Sequence, residues 1–304
     1  MALFYVFLLK INTLMKKLIT FLIALFITSV ANAQNTAPRT QLKFETIYYD
    51  AIYKWAAFPK AETDSTYVYG FIYLDMQAGF TFNHEGTFHI DELGKLVSSK
   101  KEPNSMIKVR LGNTTKNVAL LSSLQIKELG VTPVPDWLKY YKKPIDDAES
   151  LTRTGYHLNA VGGSKKALEF LLKAYKKSPH HKGLEFELGF AYNALGQYEK
   201  AIEILNKATT NDPKNALLYK EFGYAYLNLH KLPEAEAIYK RGVEISTDKE
   251  LSCEMAINMA NYYFIQKSKD KFNEWANLVK LNASPNSQYI KYIEYFEKEW
   301  ESKR

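Results

Sequence analysis

Small and turn-forming residues recur in this chain every 34 positions, and no other feature limits its fold as tightly. Gly189, Ala201, Ala208 and Pro213 have counterparts one period earlier at Gly155, Ala167, Ala174 and Pro179. One period later stand Gly223, Ala235, Gly242 and Thr247, with no insertion between. Within a unit, Leu188, Ala191, Tyr192 and Leu195 follow the i, i+3, i+4, i+7 spacing of a helix with one buried face. Gly196 is placed to stop that helix, as a glycine just past a helix end does. A second helix is expected from Tyr198, with Ala201, Ile202, Leu205 and Ala208 on one side and Pro213 preventing continuation. An interior glycine costs about 1 kcal/mol of helix propensity, so Gly155, Gly189 and Gly223 require a packing reason. Close approach of the two antiparallel helices of each unit supplies one.

This pattern resembles the tetratricopeptide repeat, whose period is also 34 residues. The resemblance covers nearly half the chain, with units at 148–181, 182–215 and 216–249 and a degenerate fourth at 250–284. In the fourth, Ala256, Ala260, Tyr263 and Trp275 fit a helix pair, but the glycine and the second-helix alanines are missing or displaced. Residues 288–304 carry a stripe of Tyr289, Tyr292, Ile293, Phe296 and Trp300, with Lys291, Glu294, Lys298 and Glu299 off it. That segment reads as the capping helix a repeat array needs, a partner-binding helix being the alternative. The expected fold is multidomain and mainly α: a small N-terminal α+β domain, then a right-handed α-solenoid of the tetratricopeptide type. The resemblance implies that first helices line a concave groove for an extended peptide or partner helix. The matching inward positions are Thr152, Tyr156 and Asn159, then Phe186, Phe190 and Asn193, then Lys220, Tyr224 and Asn228. The lysine–asparagine clamp that some family members use for C-terminal carboxylates is absent, because Phe186, Phe190 and Glu187 stand in its place. Chaperone-tail binding is therefore not expected.

Residues 35–130 do not repeat and are expected to form the α+β domain. In QLKFETIYYDAIYKWAAF, Phe44, Ile47, Tyr48, Ala51, Ile52 and Trp55 share one helical face, which predicts a helix over 42–57. TYVYGFIYLD alternates: Tyr67, Tyr69, Phe71 and Tyr73 point one way, Val68, Gly70, Ile72 and Leu74 the other. GFTFN and TFHID read as two strands joined by a turn at His84-Glu85-Gly86, and MIKVRL and NVALLS as two more. Residues 131–147, rich in proline at their start, are expected to be a stiff linker into the repeats. The aromatic row at Tyr67, Tyr69, Phe71 and Tyr73 allows two arrangements. It is either an exposed platform for sugars or peptides, or a core row packed under helix 42–57 or paired across strands. Large exposed apolar patches are uncommon, which favours the core.

Residues 15–34 read as an export signal. Lys16 and Lys17 form the basic start, an apolar run covers 18–30, and Ala31-Asn32-Ala33 provides a small-x-small cleavage site. The run of 13 residues is short for a spanning helix, although an uncleaved anchor is the alternative. Met15 is the expected start, 1–33 the removed segment, and the periplasm or the exterior the expected destination. Removal takes away Lys10, Lys16 and Lys17 and no acid, lowering the formal charge of +7 by three. So mild a balance on an exported chain argues against nucleic acid. Membrane contact is expected only through the signal before cleavage. The single cysteine, Cys253, excludes an intramolecular disulfide.

No catalytic constellation emerges. His84 and His89 are five apart, whereas two metal-binding histidines on a helix need a spacing of four, and an odd spacing on a strand puts them on opposite faces. No Gly-x-Ser-x-Gly elbow is present, and Gly162-Gly163-Ser164 fills a turn between repeat helices. Cys253, among Leu251, Met255 and Ala256, is expected to be a buried inert thiol, and His180-His181 to be solvated in a turn. Neither metal nor cofactor is expected. The chain therefore reads as an exported, non-enzymatic scaffold or adaptor that holds a protein or peptide partner. The alternative makes the α+β domain a ligand-binding or catalytic module for envelope glycans or peptides, with the repeats as its tether.

Overall fold

In the computed structural model, which describes residues 41–100 and 106–302, the chain forms two compact units. The expected export signal lies outside the described residues. The first unit is built on a sheet of Lys54–Ala57 (β1), Tyr67–Asp75 (β2), Gly79–Ile90 (β3), Leu96–Lys100 (β4), Ile107–Arg110 (β5) and Ala119–Leu120 (β6). The order is β4-β3-β2-β1-β6, and β5 pairs β3 beside β4. A short helix, Ser123–Glu128 (α1), follows and opens with a capping box between Ser122 and Gln125.

Three expectations for this unit are corrected. No helix spans 42–57: Thr46 bridges to Val118, Tyr48–Asp50 make one 3-10 turn, and Trp55 sits on β1 opposite Phe71. The helical spacing of its aromatics is overridden because pairing with β2 and β6 satisfies the backbone and buries Trp55, Ala56 and Ala57. His84-Glu85-Gly86 is not a turn but the middle of the twelve-residue β3. There β5 pairs Thr81–His84 and β4 pairs Gly86–Ile90, so two partners hold the strand straight through Gly86. Residues 131–147 are not simply a linker. The 3-10 segment Asp136–Tyr140 places Trp137 edge-on to Phe71 and Tyr73, with ring centroids 5.8 and 5.2 Å apart. Trp55 Nε1 also donates to Thr132 O at 2.9 Å.

The aromatic row is core. Tyr69, Phe71 and Tyr73 are buried, Trp55 lies 5.3 Å from Phe71, and Phe88 covers Tyr67 and Tyr69. Tyr69 Oη shares a hydrogen bond with Ser98 Oγ at 2.9 Å, so its one polar atom is paired.

The second unit is a run of helix pairs. They are Ala148–Asn159 (α2) with Ser164–Lys177 (α3), Leu184–Ala194 (α4) with Tyr198–Asn211 (α5), and Ala216–Asn228 (α6) with Leu232–Ile245 (α7). Lys249–Ile265 (α8) with Lys269–Asn282 (α9) completes the array, and Gln288–Ser302 (α10) follows. The interior glycines face the second helix of their own pair. A Cβ on Gly189 would stand 2.6 Å from Leu205 Cδ2, and Gly155 and Gly223 stand comparably close to Leu171 and Tyr239.

Between the helices of a pair, one residue adopts the left-handed conformation: Gly162, Gly196, His230 and Lys267. The first three keep the period, and the fourth is displaced by three residues because α8 runs one turn longer. That displacement explains why the fourth unit looks degenerate in the sequence. Allowing for it, the buried second-helix positions Ala201, Ile204, Leu205 and Ala208 map onto Phe272, Trp275, Ala276 and Val279, all buried. The same alignment puts Ile257 where the glycine was and Ala276 where Leu205 was, so large and small have exchanged places.

Candidate functional site

First helices α4, α6 and α8 each turn the i, i+3 and i+4 or i+1 positions of one face toward a shared cavity of ≈ 400 Å³. Phe190, Asn193 and Ala194 come from α4, Lys220, Glu221 and Tyr224 from α6, and Glu254, Ile257 and Asn258 from α8. Of the residues expected in the groove, the structure thus brings together Phe190, Asn193, Lys220 and Tyr224. Tyr224 is 40% exposed, and its ring lies 6.4 Å from that of Tyr198.

Thr152, Tyr156, Asn159, Phe186 and Asn228 do not line it. Thr152 is buried and donates its hydroxyl to Ala148 O at 2.7 Å, a bond inside its own helix. Tyr156 is 51% exposed, and its ring lies 5.1 Å from His157. Phe186 is half-buried. Asn228 is a register error, because the position one period beyond Asn193 is Leu227. Its amide donates to Tyr224 O, four residues back.

Asn159 and Asn193 tie successive units together. Asn159 Nδ2 donates to Glu187 O and Glu187 Oε2 at 3.0 and 2.8 Å, and Asn193 Nδ2 to Glu221 O and Glu221 Oε2 at 2.9 and 3.0 Å. Both asparagines are 5% exposed, and the Oδ1 of each has no partner. Burial raises the Glu187 carboxyl above its ordinary value; the hydrogen bond from Asn159 works against this, and the charge of Glu221 adds to it. One period on, the pair becomes Leu227 and Met255 and the polar ladder ends.

Charge in the cavity is set by three side chains. Lys220 Nζ stands 3.2 Å from Glu254 Oε2 and 3.6 Å from Glu221 Oε1, so two carboxylates bracket one ammonium. Asn258 Nδ2 donates to Tyr239 Oη at 3.2 Å beneath the cavity, where burial pushes the Tyr239 phenol well up. Sequence reasoning missed Glu254, Ile257 and Asn258. The signal was present, since Glu254 and Asn258 lie one period beyond Lys220 and Tyr224. The first-helix register survives in the fourth unit even though the second-helix register slips.

Elsewhere, Cys253 is buried, and burial pushes its thiol up, away from nucleophilic character. His180 is not merely solvated: its Nδ1 lies 3.2 Å from Glu185 Oε1 and 2.7 Å from Asn211 Nδ2. Among the described residues no group of three or more His, Cys, Asp or Glu is arranged to hold a metal. No helix among them is long and apolar enough to cross a membrane.

Among curated proteins, none matches the chain. Solved structures with a similar helical run include pilF of Pseudomonas aeruginosa, 16% identical over 52% of this chain and 71% of that one, TM-score 0.43. A thermophilic tetratricopeptide-repeat protein of Thermus thermophilus is 20% identical over 52% and 84%, TM-score 0.44. The Sgt2 tetratricopeptide-repeat domain of Aspergillus fumigatus is 23% identical over 46% and 86%, TM-score 0.34. Residues 164–220 match the family model of the tetratricopeptide repeat, from the second helix of the first pair into the first helix of the third. Residues 164–220 thus carry the tetratricopeptide repeat, and the helix pairs on either side continue the same alternation of helices.

Proposed function

We propose that this chain is an exported, non-enzymatic scaffold or adaptor that holds a protein partner in the groove on α4, α6 and α8. The observation that carries this reading is the cavity itself, to which three successive first helices contribute, with Phe190, Tyr224 and Asn258 at one and the same repeat position. Repeat arrays present their binding surface along such a row. The half-buried ring of Phe190 and the exposed one of Tyr224 supply rigid apolar area of the kind that dominates protein recognition. An extended segment or a helix fits a groove of this kind.

The bacterial envelope is the proposed location, as periplasmic or secreted protein, on the strength of the signal pattern at 15–34. Osmotic-shock fractionation with N-terminal sequencing tests it: a mature chain beginning near Gln34 supports export, and an unprocessed cytoplasmic chain refutes it.

For the groove, Phe190→Ala and Tyr224→Ala are compared with the parent chain in crosslinked capture from envelope extract, with melting temperature measured alongside. Both variants are expected to lose capture and to melt within a few degrees of the parent. Unchanged capture overturns the groove assignment, as does lost folding in place of lost binding.

A further inference from the structure

The charged groups lining the cavity are only partly balanced by one another. Asn193 uses both hydrogens of its amide on Glu221, and Asn258 spends an amide hydrogen on Tyr239. Lys220 is engaged by Glu221 and Glu254. An exposed acceptor remains: the Glu254 side chain is 43% exposed and is engaged by the Lys220 ammonium. Two carboxylates against one ammonium also leave the cavity one negative charge in excess.

We propose that this cavity receives a basic side chain, arginine above lysine, presented by an extended segment of the partner protein. The inference rests on the reading of the groove as the partner site. A ligand carboxylate would have to displace Glu254 from Lys220 while facing Glu221, which is buried and fixed by Asn193. A guanidinium brings a positive charge and only donors, five of them in a planar fork that suits a carboxylate, and so meets the excess of carboxylate. Phe190 and Tyr224 also line the cavity, and aromatic rings attract a cation of this kind. The charge of the cavity and the aromatic residues in its wall thus select the same chemistry.

The test uses the full mature chain carrying labelled isoleucine methyl groups, with Ile257 in the cavity wall as reporter. The probes are N-acetyl-arginine amide and N-acetyl-glutamate amide at one ionic strength. The arginine probe is expected to shift the Ile257 methyl saturably, and the glutamate probe to leave it unmoved over the same range. Glu254→Gln is expected to weaken the arginine response about threefold, the scale of one partly exposed ion pair, and Glu254→Asp, which keeps the charge, to retain it. Equal responses to the two probes overturn the proposal, as does an arginine response absent or indifferent to Glu254→Gln. Capture of the partner separates the two levels. If Tyr224→Ala abolishes capture and Glu254→Lys leaves it intact, the groove stands and the basic-residue inference falls. If neither variant alters capture, the groove reading itself fails.

Discussion

The side-chain amide of Asn193 reaches from one repeat to the next and donates to both the backbone oxygen and the carboxylate of Glu221, at 2.9 and 3.0 Å. The chain contains its own apolar version of this joint one period later, in Leu227 and Met255. Removing one partner strands a buried polar group, whereas replacing both with apolar groups of similar shape is nearly neutral. Asn193→Leu and Glu221→Met are each expected to cost about 1–3 kcal/mol, and the double variant much less than their sum. Urea denaturation of the four proteins measures this. Additive losses would mean that the two side chains do not form one unit.

At the preceding joint, Glu187 is held where its carboxyl is raised, chiefly by burial. A raised folded value means that the neutral form is favoured in the fold. The contribution is therefore present below the ordinary carboxylate value of 4.5 and is lost as pH rises through the folded value. Glu187→Gln, which can still accept from Asn159, is expected to melt like the parent near pH 4 and above it near neutrality. A gap in melting temperature that does not change with pH contradicts this.

Gly189→Ala sets two effects against each other. Helix propensity favours alanine by about 1 kcal/mol. The new methyl, however, would meet Leu205 Cδ2 at 2.6 Å, and Leu205 is fully buried with nowhere to retreat. Overpacking of that kind costs about 1–3 kcal/mol, so the clash wins and the melting temperature is expected to fall. A rise would show that the two helices part without penalty.

Glu236 joins the third pair to the fourth. Burial pushes its carboxyl up, but hydrogen bonds from Lys271, Lys240 and Tyr263 overcome this and hold it at about 2. Tyr263 Oη and Lys271 Nζ each donate at 2.7 Å, from α8 and α9. A depressed folded value contributes stability above the ordinary 4.5 that is lost as pH falls toward 2. Glu236→Gln is expected to destabilise the array by about 2 kcal/mol near neutral pH, with the loss shrinking in acid. Thermal melts across that range decide it, and a loss independent of pH would remove the ionised carboxylate from the account.

The sequence by itself determined the helical array. Gly155, Gly189 and Gly223 are each required by a contact inside their own pair, so local spacing carried the whole instruction. First-helix positions such as Phe190 and Tyr224 were legible for the same reason, and extending their register by one more period would have reached Asn258. Only tertiary structure decided which of them are free. Asn159 and Asn193 look like groove amides in sequence, but the first helix of the next pair supplies Glu187 and Glu221 and turns both into joints. Tertiary pairing also decided the sheet unit. Trp55 has a helical spacing and lies on a strand, and Trp137 stands among prolines and covers the core row, because partners distant in sequence satisfy them. Repeats write their contacts at a fixed short separation, so one period suffices to read them. A sheet closes over separations that no local pattern records.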